Sequence, residues 1–514
     1  MVWRAERALA AGAILAAAMA LCACATAPPW QPPQAAFPAD FATARPATPL
    51  PDALQTARPE SPQHLVAGAA PPADWWREFN SVKLEALIDE ALARHPDIDA
   101  ARAALQQAQA ELAAARAEHL APLVRAQGSA ARQRVPAAVT GLPVPLVYNL
   151  FQTSVAVSYS PDLSGAVREA LQGLGAQVDV QRYQLEAVRL ALGGNIATTA
   201  FREAGLRAQI ETTRALLGYL AEQRELARAR LRAGAVTAAE VLTAEVELGS
   251  AAAALPALDK ALAQTRDQLA RYVGRPSGDG DGDGELPVFA LADFELPVSL
   301  PLSVPSELAR QRPDLRAAEA ALQAANAAIG VAHANRFPSL NLSAALGMGS
   351  LTLPGLLRAA GLQWSFGASA AATVFDGGAL AAHERSAQAA YAQVEAQYRS
   401  TVLNALQNVV DVLAALQHDA RALDAQRSTL DSARAAVSLL EQQQALGGAT
   451  RQQLLVARIN ALQAELPLGG ERAARLADTA ALYQALGGGW SGDGAAADTD
   501  ARSAQDRGWR GEAQ

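Results

Sequence analysis

Thiols are nearly absent from this sequence, in which Cys22 and Cys24 are the only cysteines among 514 residues. In the rest of the chain, cysteine catalysis, thiolate metal sites and a disulfide framework are therefore excluded. Aromatic residues are also scarce, at 5% against 51% hydrophobic residues, and much of the hydrophobic fraction is alanine. Such a composition favours helices packed along narrow seams over a globular core rich in aromatic rings. The net charge of −8 argues against a nucleic-acid partner.

Motifs for catalysis and metal binding are missing as well. The six histidines lie far apart, without the spacing of metal ligands, and no Walker loop, dinucleotide fingerprint or nucleophile elbow is found. The stretch Asp279–Gly284 matches the opening of an EF-hand loop, but Ala290 stands at the twelfth position, where calcium binding requires a glutamate. We therefore interpret this stretch as an acidic linker and predict no enzyme activity, no cofactor and no metal site.

The N-terminal region has the pattern of a bacterial lipoprotein signal peptide. A basic start precedes an apolar stretch over about 8–21, which is too short to span a membrane. Because the stretch ends in a lipobox-like pattern, we predict a signal peptide over 1–23 and an N-palmitoyl, S-diacylglycerol cysteine at Cys24. An ordinary cleaved signal peptide that happens to contain cysteines is the alternative. Residues 24–74, which are rich in Pro, Ala and Thr, are expected to form a lipidated tether.

Internal repetition dominates the remainder of the chain. The segment His95–Ala101 recurs as Arg312–Ala318, and Gly234 recurs as Gly447. Matched prolines and glycines in the same order are not expected of unrelated alanine-rich helices, so they indicate a duplicated unit of about 215 residues. The predicted division is a first repeat over 75–275, a linker over 276–305, a second repeat over 306–490 and a disordered tail over 491–514.

Each repeat contains two predicted strands. After the N-terminal region no apolar run reaches the ~18 residues of a transmembrane helix, so any membrane crossing is expected to use strands. The strands are predicted at about 123–135 and 150–160 in the first repeat, and at about 339–347 and 363–375 in the second. Apolar residues alternate there with small or polar ones, as in transmembrane β-strands. Half-buried strands of a soluble sheet would show the same period. The alternating apolar residues are Phe151, Thr153, Val155, Val157 and Tyr159, and then Trp364, Phe366, Ala368 and Ala370.

Long helices follow the strands in both repeats. They are predicted at about 165–232 and 237–273, and at about 378–446 and 450–486. At ~1.5 Å per residue the longest of them measure about 100 Å. Heptad spacing in the second helix of each pair, with Val241, Leu248, Leu255, Leu262 and Leu269 as the first example, predicts coiled-coil packing. Interior prolines, Pro256 and Pro467, predict a kink in each of these helices.

The turns between the long helices repeat as well. Each places Gly at a helix end and Thr at the next helix start, which is typical of a stable helical hairpin. The candidate turn residues are Gly234, Ala235, Val236, Thr237, Gly447, Gly448, Ala449 and Thr450.

Four strands cannot close a transmembrane barrel, because the smallest barrels contain about eight. An open sheet would leave unpaired edges in lipid. The strands must therefore be shared between subunits, and three subunits would provide twelve strands and leave a pore.

Several motifs also resemble those of the outer membrane factors, the TolC-like trimeric channels of tripartite efflux pumps, and especially their lipoprotein branch of OprM- and NodT-like proteins. The resemblance extends from Trp76 to Trp490. The segments that carry it are Val304–Glu319, Ile329–Ala332, Arg336–Leu340, Phe375–Gly378 and Tyr483–Trp490.

The resemblance implies an α+β membrane protein. Its internally duplicated unit would contribute four β-strands per subunit to a trimeric 12-stranded transmembrane β-barrel, which continues into a long α-helical coiled-coil periplasmic barrel. The homotrimer would lie in the outer-membrane lipid. The helix tips would dock onto a periplasmic adaptor, a membrane fusion protein that is bound to an inner-membrane pump of the RND type. The channel would be a passive exit duct for drugs or other small molecules. The exit duct of a type I secretion system and a non-channel coiled-coil periplasmic lipoprotein are the alternatives.

Two segments depart from the family pattern. The segment Asp162–Gly165 lacks the usual tryptophan, and Val456 stands where relatives often carry an aspartate that helps to close the periplasmic aperture. Gln452 and Val456 are the candidate aperture residues. The hypothesis is a hydrophobic constriction, or one with Arg451 or Arg458 nearby.

Overall fold

The computed structural model describes residues 63–141, 143–276, 286–303, 308 and 311–488. Cys24, the predicted signal peptide, the EF-hand-like stretch and the predicted tail lie outside these residues. The chain divides into two compact units. In the described residues the first unit comprises 104–182 and 317–399, and the second comprises the remainder.

Seven helices of more than ten residues and six strands of four or more residues make up most of the described chain, together with a one-turn helix at Ala137–Thr140 and short 3-10 turns. The helices are α1 (Val82–Arg94), α2 (Pro96–Leu120), α3 (Ala166–Arg232), α4 (Ala238–Val273), α5 (Pro313–Ala334), α6 (Ala379–Ala445) and α7 (Arg451–Ala485). The strands are β1 (His64–Ala67), β2 (Leu123–Val135), β3 (Leu146–Tyr159), β4 (Ser299–Leu302), β5 (Ser339–Ser350) and β6 (Leu362–Ala371).

The first unit contains a four-stranded antiparallel sheet in the order β2-β3-β5-β6. The strand expected at 150–160 begins earlier, at Leu146, because β2 and β3 stay paired from Leu123↔Ser158 to Val135↔Leu146. The strand expected at 339–347 extends to Ser350, which pairs with Phe151.

The strand expected at 363–375 is too long at its C-terminal end, since β6 stops at Ala371. Its last partner is Ser339, the first residue of β5. Pro338, which has no backbone N–H, precedes that residue. Asp376 instead accepts the backbone N–H groups of Gly378 and Leu380 at 2.8 and 2.7 Å, and so caps the start of α6.

The long helices of the two repeats have equal length. Both α3 and α6 contain 67 residues, and all four long helices have ends within one residue of the expected ones. Both α4 and α7 continue through their interior prolines. In α7 the carbonyl of Ala464, one turn before Pro467, accepts a 2.6 Å hydrogen bond from the Gln426 side chain of α6.

The second unit has an aromatic core. Trp75 and Phe79, in a 3-10 turn at Trp75–Phe79, are fully buried. The ring of Trp75 stacks on Tyr483 of α7 with centroids 5.6 Å apart, and Phe79 lies 4.8 Å from Phe201 of α3. Close helix packing continues nearby, since a Cβ on Gly205 of α3 would lie only 2.7 Å from the Ala473 Cβ of α7.

The predicted tether and linker are partly ordered, which corrects the boundaries expected from the sequence. Strand β1 lies within the segment predicted as tether, and it pairs in parallel with β4, which lies within the predicted linker. Phe289 and Leu300 of the linker are fully buried. Residues 235 positions apart form this pair (His64↔Ser299), so no local pattern indicates it.

Helix α4 corrects a second expectation. It contains an 18-residue window that is apolar enough to cross a membrane by length and composition alone, although the sequence was expected to hold none after the N-terminal region. Alanines raise the hydropathy of this window without forming an uninterrupted run of large apolar residues. Only 11% of the window is buried within the chain.

Candidate functional site in the sheet and at the helix tips

The four-stranded sheet has one apolar face. Directly paired residues of antiparallel strands present their side chains on the same face, so the pairing places the two predicted apolar series together and confirms that alternation. Trp364 and Phe366 are each 76% exposed on it. The members are Val124, Ala126, Gly128, Ala130, Phe151, Thr153, Val155, Val157, Tyr159, Leu340, Leu342, Ala344, Leu346, Met348, Leu362, Trp364, Phe366, Ala368 and Ala370.

Charged residues on this face occur at one end only. Arg132 pairs with Asn149, and Arg134 pairs with Val147, next to the turn that joins β2 and β3. We call this the hairpin end of the sheet. The opposite end, where Leu123, Tyr159, Ser339 and Ala371 lie, is called the helical end because helices precede or follow these residues in the chain.

The other face of the sheet carries small and polar side chains. Its exceptions are Leu123 and, towards the hairpin end, Val135, Leu146, Tyr148 and Leu150. Arg125 is the single charged residue of this face in the four strands. The sequence analysis did not single it out, although its place in the predicted first strand could have been noticed. The remaining members are Gln127, Ser129, Ala131, Gln133, Gln152, Ser154, Ala156, Ser158, Ser339, Asn341, Ser343, Ala345, Gly347, Gly349, Gln363, Ser365, Gly367, Ser369 and Ala371.

Strands β2 and β6 are the edges of the sheet. Each has one hydrogen-bonded neighbour in the described chain, so a row of backbone N–H and C=O groups on each remains available to another strand. A single copy therefore provides an open element of a larger sheet, not a closed one.

The turn between α3 and α4 ends its first helix with a Schellman motif. Gly234 adopts a φ of +72°, and the N–H of Ala235 donates to the carbonyl of Arg230 at 2.8 Å. Thr237 occupies the N-cap position of α4 with extended backbone, but its hydroxyl makes no capping hydrogen bond. Val236 is half-buried within this turn.

The turn between α6 and α7 has the same backbone and a stronger cap. Gly447 has a φ of +79°, and the N–H of Gly448 donates to the carbonyl of Gln443 at 2.8 Å. Thr450 forms a capping box, since its hydroxyl accepts the N–H of Gln453 and its own N–H donates to the Gln453 side chain. The candidate tip residues thus form two equivalent turns, and a docking role for them stays a prediction.

Polar contacts join the two helix pairs near these turns. Arg451, the first residue of α7, pairs with Glu222 of α3, with its Nε 2.8 Å from the carboxylate. Arg230 of α3 donates a hydrogen bond to the Gln452 side chain. Helices α3 and α7 are therefore neighbours at the tips.

Arg458 of α7 is also paired. Its guanidinium lies 2.8 Å from Glu441 of α6 and 5.6 Å from the ring centre of Tyr219. The hydrogen bond that Arg458 donates to the Glu441 carboxylate raises the pKa of Arg458 above its ordinary value. Both arginines named in the aperture hypothesis are thus held in ion pairs within the chain.

An uncharged stripe runs along the exposed side of α7. Gln452, Val456, Asn460 and Gln463 follow one another at helical spacing, and all four are exposed. Leu454, Leu455, Ala457 and Ile459, which lie between members of the stripe, are buried in the chain. The stripe includes both candidate aperture residues, and its constriction role remains a prediction.

A buried polar cluster in the second unit was not predicted from the sequence. Arg475 of α7 is only 3% exposed. It donates to the Gln63 side chain and to the carbonyl of Leu416, both at 2.8 Å. Desolvation and the neighbouring Asp419 raise the pKa of Asp478 to about 7, despite an opposing effect of Arg475. The cluster brings three distant segments together, so spacing could not reveal it.

In the searched part of the chain, no three His, Cys, Asp or Glu side chains are grouped so that they could hold a metal ion. The described site consists instead of a two-faced sheet and two helical turns. The family described as outer membrane efflux protein matches the chain twice, over 87–275 and 304–488. The chain belongs to this family.

As a member of the outer membrane efflux protein family, the chain has relatives of nearly its own length. It is 30% identical over 456 residues to the pyoverdine export outer membrane protein OpmQ of Pseudomonas putida, with 87% of this chain and 95% of that protein covered. It is 29% identical over 434 residues to the solvent efflux pump outer membrane protein SrpC of Pseudomonas putida, with coverage of 84% and 90%.

A solved structure shares the fold. The outer membrane protein VceC of Vibrio cholerae matches with a TM-score of 0.73 and 26% identity, over 82% of this chain and all of that one. The fold is that of TolC-like outer-membrane channels. Each of the two family matches overlaps one predicted repeat, and the exact bounds of the repeats stay a prediction.

Proposed function

We propose that this outer-membrane efflux protein works as a homotrimeric exit duct. The observation that carries the proposal is the two-faced sheet with open edges at β2 and β6. Pairing β2 of one copy with β6 of the next satisfies both edges, and three copies then provide twelve strands. The apolar face would contact lipid and the polar face would line a water-filled lumen.

The hairpin end of each sheet would face the outside. Arg132 and Arg134 then lie at the rim of the apolar face, where arginine is tolerated far better than at the middle of the bilayer. The helical end would face the periplasm, so that the long helices prolong the duct. This orientation accounts for both charged positions of this face.

The helix tips would contact a periplasmic adaptor bound to an inner-membrane pump of the RND type. Two equivalent turns in one chain, at 234–237 and 447–450, become six per trimer. Gln452 and Val456 would narrow the periplasmic aperture without an acidic ring. Arg451 and Arg458, already paired with Glu222 and Glu441, would then hold the helices together and not line the opening.

The cargo would be small molecules delivered by the pump. The relatives OpmQ and SrpC are named for the export of pyoverdine and for solvent efflux respectively, so two relatives at similar identity to this chain are named for chemically different solutes. Lipidation at Cys24 would anchor the mature chain, with the four strands adding attachment of their own.

Purified full-length protein in planar lipid bilayers tests the duct. The expected result is a discrete ionic conductance together with a trimer that dissociates only on heating in detergent. Folded, membrane-inserted protein without conductance would contradict the proposal and favour a non-channel lipoprotein.

Two variants extend the experiment. Cys24→Ala protein should remain in the outer-membrane fraction, since strands hold it there, and its release as soluble protein would contradict the barrel. Val456→Asp should raise cation selectivity and change the conductance. If both are unchanged, Val456 does not lie at the aperture.

A further inference from the structure

Arg125 is unusual for its position in the sheet. It is the third residue of β2, close to the helical end, and its side chain is exposed on the polar face. The pairing places Ala156, Ala345 and Ser365 in the same row across the sheet. These side chains are too short to cover a guanidinium, so Arg125 projects beyond its neighbours.

The position is distinct from those of the other arginines in the strand. Successive side chains of a strand point to opposite faces of the sheet. Arg132 and Arg134, at even positions, therefore lie on the apolar face near the hairpin end, whereas Arg125 lies on the polar face. Among the described strand residues, no second charge shares the polar face with Arg125.

No acidic group neutralises Arg125 within the described chain, where its guanidinium has no ion pair or hydrogen bond. Glu118, the acid closest to Arg125 in sequence, is exposed near the end of α2 and makes no ion pair with Arg125. The first acids that follow the strands are engaged elsewhere. Asp162 accepts the N–H of Arg168 at 2.8 Å, and Asp376 caps α6. Hydrogen bonds from Leu380 and Gly378 hold the pKa of Asp376 below its ordinary value, so it remains a charged cap.

A neighbouring subunit would not neutralise it through its strand either. In the proposed trimer β2 meets β6 of the next copy, and the polar face of β6 carries only Gln363, Ser365, Gly367, Ser369 and Ala371. The charge therefore persists when the barrel closes.

We propose that Arg125 forms a ring of positive charge in the lumen, which makes this section of the duct favour anionic solutes. This inference rests on the proposed function, since it needs a closed barrel with the polar face inward. Three guanidinium groups would lie at one level, near the junction with the helices. Low-dielectric walls focus such a field, and at physiological ionic strength it reaches about 8 Å from each charge. Rings of Arg or Lys act in this way in anion-selective pores.

Reversal potentials in bilayers under a KCl gradient test the ring. Arg125→Gln should lower the chloride-to-potassium permeability ratio by about two-fold or more, and Arg125→Glu should lower it further. Arg125→Lys should retain the wild-type ratio. Arg132→Gln, on the same strand but the opposite face, is the matched control and should leave the ratio unchanged.

A thiol probe tests the placement independently of ion selectivity. In folded trimers, Arg125→Cys should react with a charged, membrane-impermeant thiol reagent. An anionic reagent should react faster in mixed trimers, whose wild-type subunits retain Arg125, than in trimers that consist of Arg125→Cys subunits alone. Val155→Cys, on the apolar face, should not react. The unsubstituted protein, whose Cys22 is removed with the predicted signal peptide and whose Cys24 sulfur is predicted to be lipidated, gives the background.

The outcomes separate the two proposals. Wild-type conductance with an unchanged permeability ratio in both Arg125→Gln and Arg125→Glu overturns the charged ring and leaves the duct intact. Absence of conductance in inserted wild-type protein overturns the duct itself. An unreactive Arg125→Cys variant beside a reactive Val155→Cys variant reverses the faces and overturns the ring.

Discussion

The second helices of the two repeats, α4 and α7, begin 213 residues apart and have the same turn before them, yet their surroundings differ. Leu242 and Val246 of α4 are 60% and 67% exposed, whereas their equivalents Leu455 and Ile459 of α7 are 2% and 6% exposed. The reason is that α7 lies between α3 and α6, and α4 contacts α3 at the edge. Duplication therefore preserved apolar positions on α4 that the single chain leaves uncovered.

Uncovered apolar positions on a duplicated helix indicate a partner outside the chain. In the proposed trimer, a second copy is the partner available to α4, as it is to the edges of the sheet. The helix that the single chain buries is expected to control folding, and the exposed one is expected to control assembly. Four matched experiments test that distinction.

The largest effect on stability is expected at Arg475. This residue is buried in α7, and Leu262 is at the equivalent position of α4. Arg475→Met would leave Gln63 and the carbonyl of Leu416 without their donor and the carboxylates of Asp419 and Asp478 without their cation. We expect a loss of about 3–5 kcal/mol in the free energy of unfolding, measured by urea denaturation of the detergent-solubilised protein. Leu262→Met is the control and should change stability by less than about 1.5 kcal/mol. Equal effects would contradict the distinction.

The next effect concerns an equivalent pair of leucines. Leu455→Ala should cost about 2–5 kcal/mol, because it opens a cavity at a buried position. Leu242→Ala should affect the folded helical content little and should instead lower the temperature at which the trimer dissociates. Circular dichroism and gel migration after stepwise heating measure the two quantities. If trimer dissociation responds only to the Leu455 variant, α4 does not lie at the subunit interface.

A pH dependence is expected from the same buried cluster. The pKa of Asp478 is about 7 in the folded chain, whereas its ordinary value is 3.8. Between these two pH values the folded state therefore retains a proton that the unfolded chain releases. Stability should be greatest below about pH 4 and should fall as the pH rises towards 7. Partial exposure of Asp478 limits the size of this effect.

Unfolding midpoints between pH 4 and pH 8 measure this dependence. Asp478→Asn should flatten that part of the profile, whereas Thr265→Ala at the equivalent position of α4 should leave its slope in place. A wild-type midpoint that rises between pH 5 and pH 7, with the same rise in Asp478→Asn, would be evidence against the predicted proton uptake.

The smallest difference is expected at the two caps. Thr450→Ala removes a capping box and should cost about 1 kcal/mol. Thr237→Ala removes a hydroxyl that makes no capping hydrogen bond, so its cost should be only about a few tenths of a kcal/mol. Thermal denaturation of both variants in parallel gives the comparison. A larger loss at Thr237 would show that its hydroxyl acquires a partner in the trimer.

Local patterns in the sequence predicted much of this protein. The repeat, the long helices and their glycine and threonine ends were found because helix starts and stops depend on neighbouring residues. Strand alternation likewise predicted which residues share a face, and the pairing agrees for Phe151 and Trp364. The family resemblance indicated an outer-membrane efflux protein, and the family match confirms that membership.

Other features required the tertiary structure. The pairing of β1 with β4, the Arg475 cluster and the burial of α7 in place of α4 each join segments far apart in the chain. Two helices with the same heptad spacing cannot be distinguished by that spacing, because burial depends on what packs against them. The sequence by itself determined a duplicated set of strands, helices and capped turns, and packing decided which copy forms the interior. The single charge of the polar face depends on both the sequence and the tertiary structure. The sequence places Arg125 on a strand, and the strand register leaves it without an acidic partner.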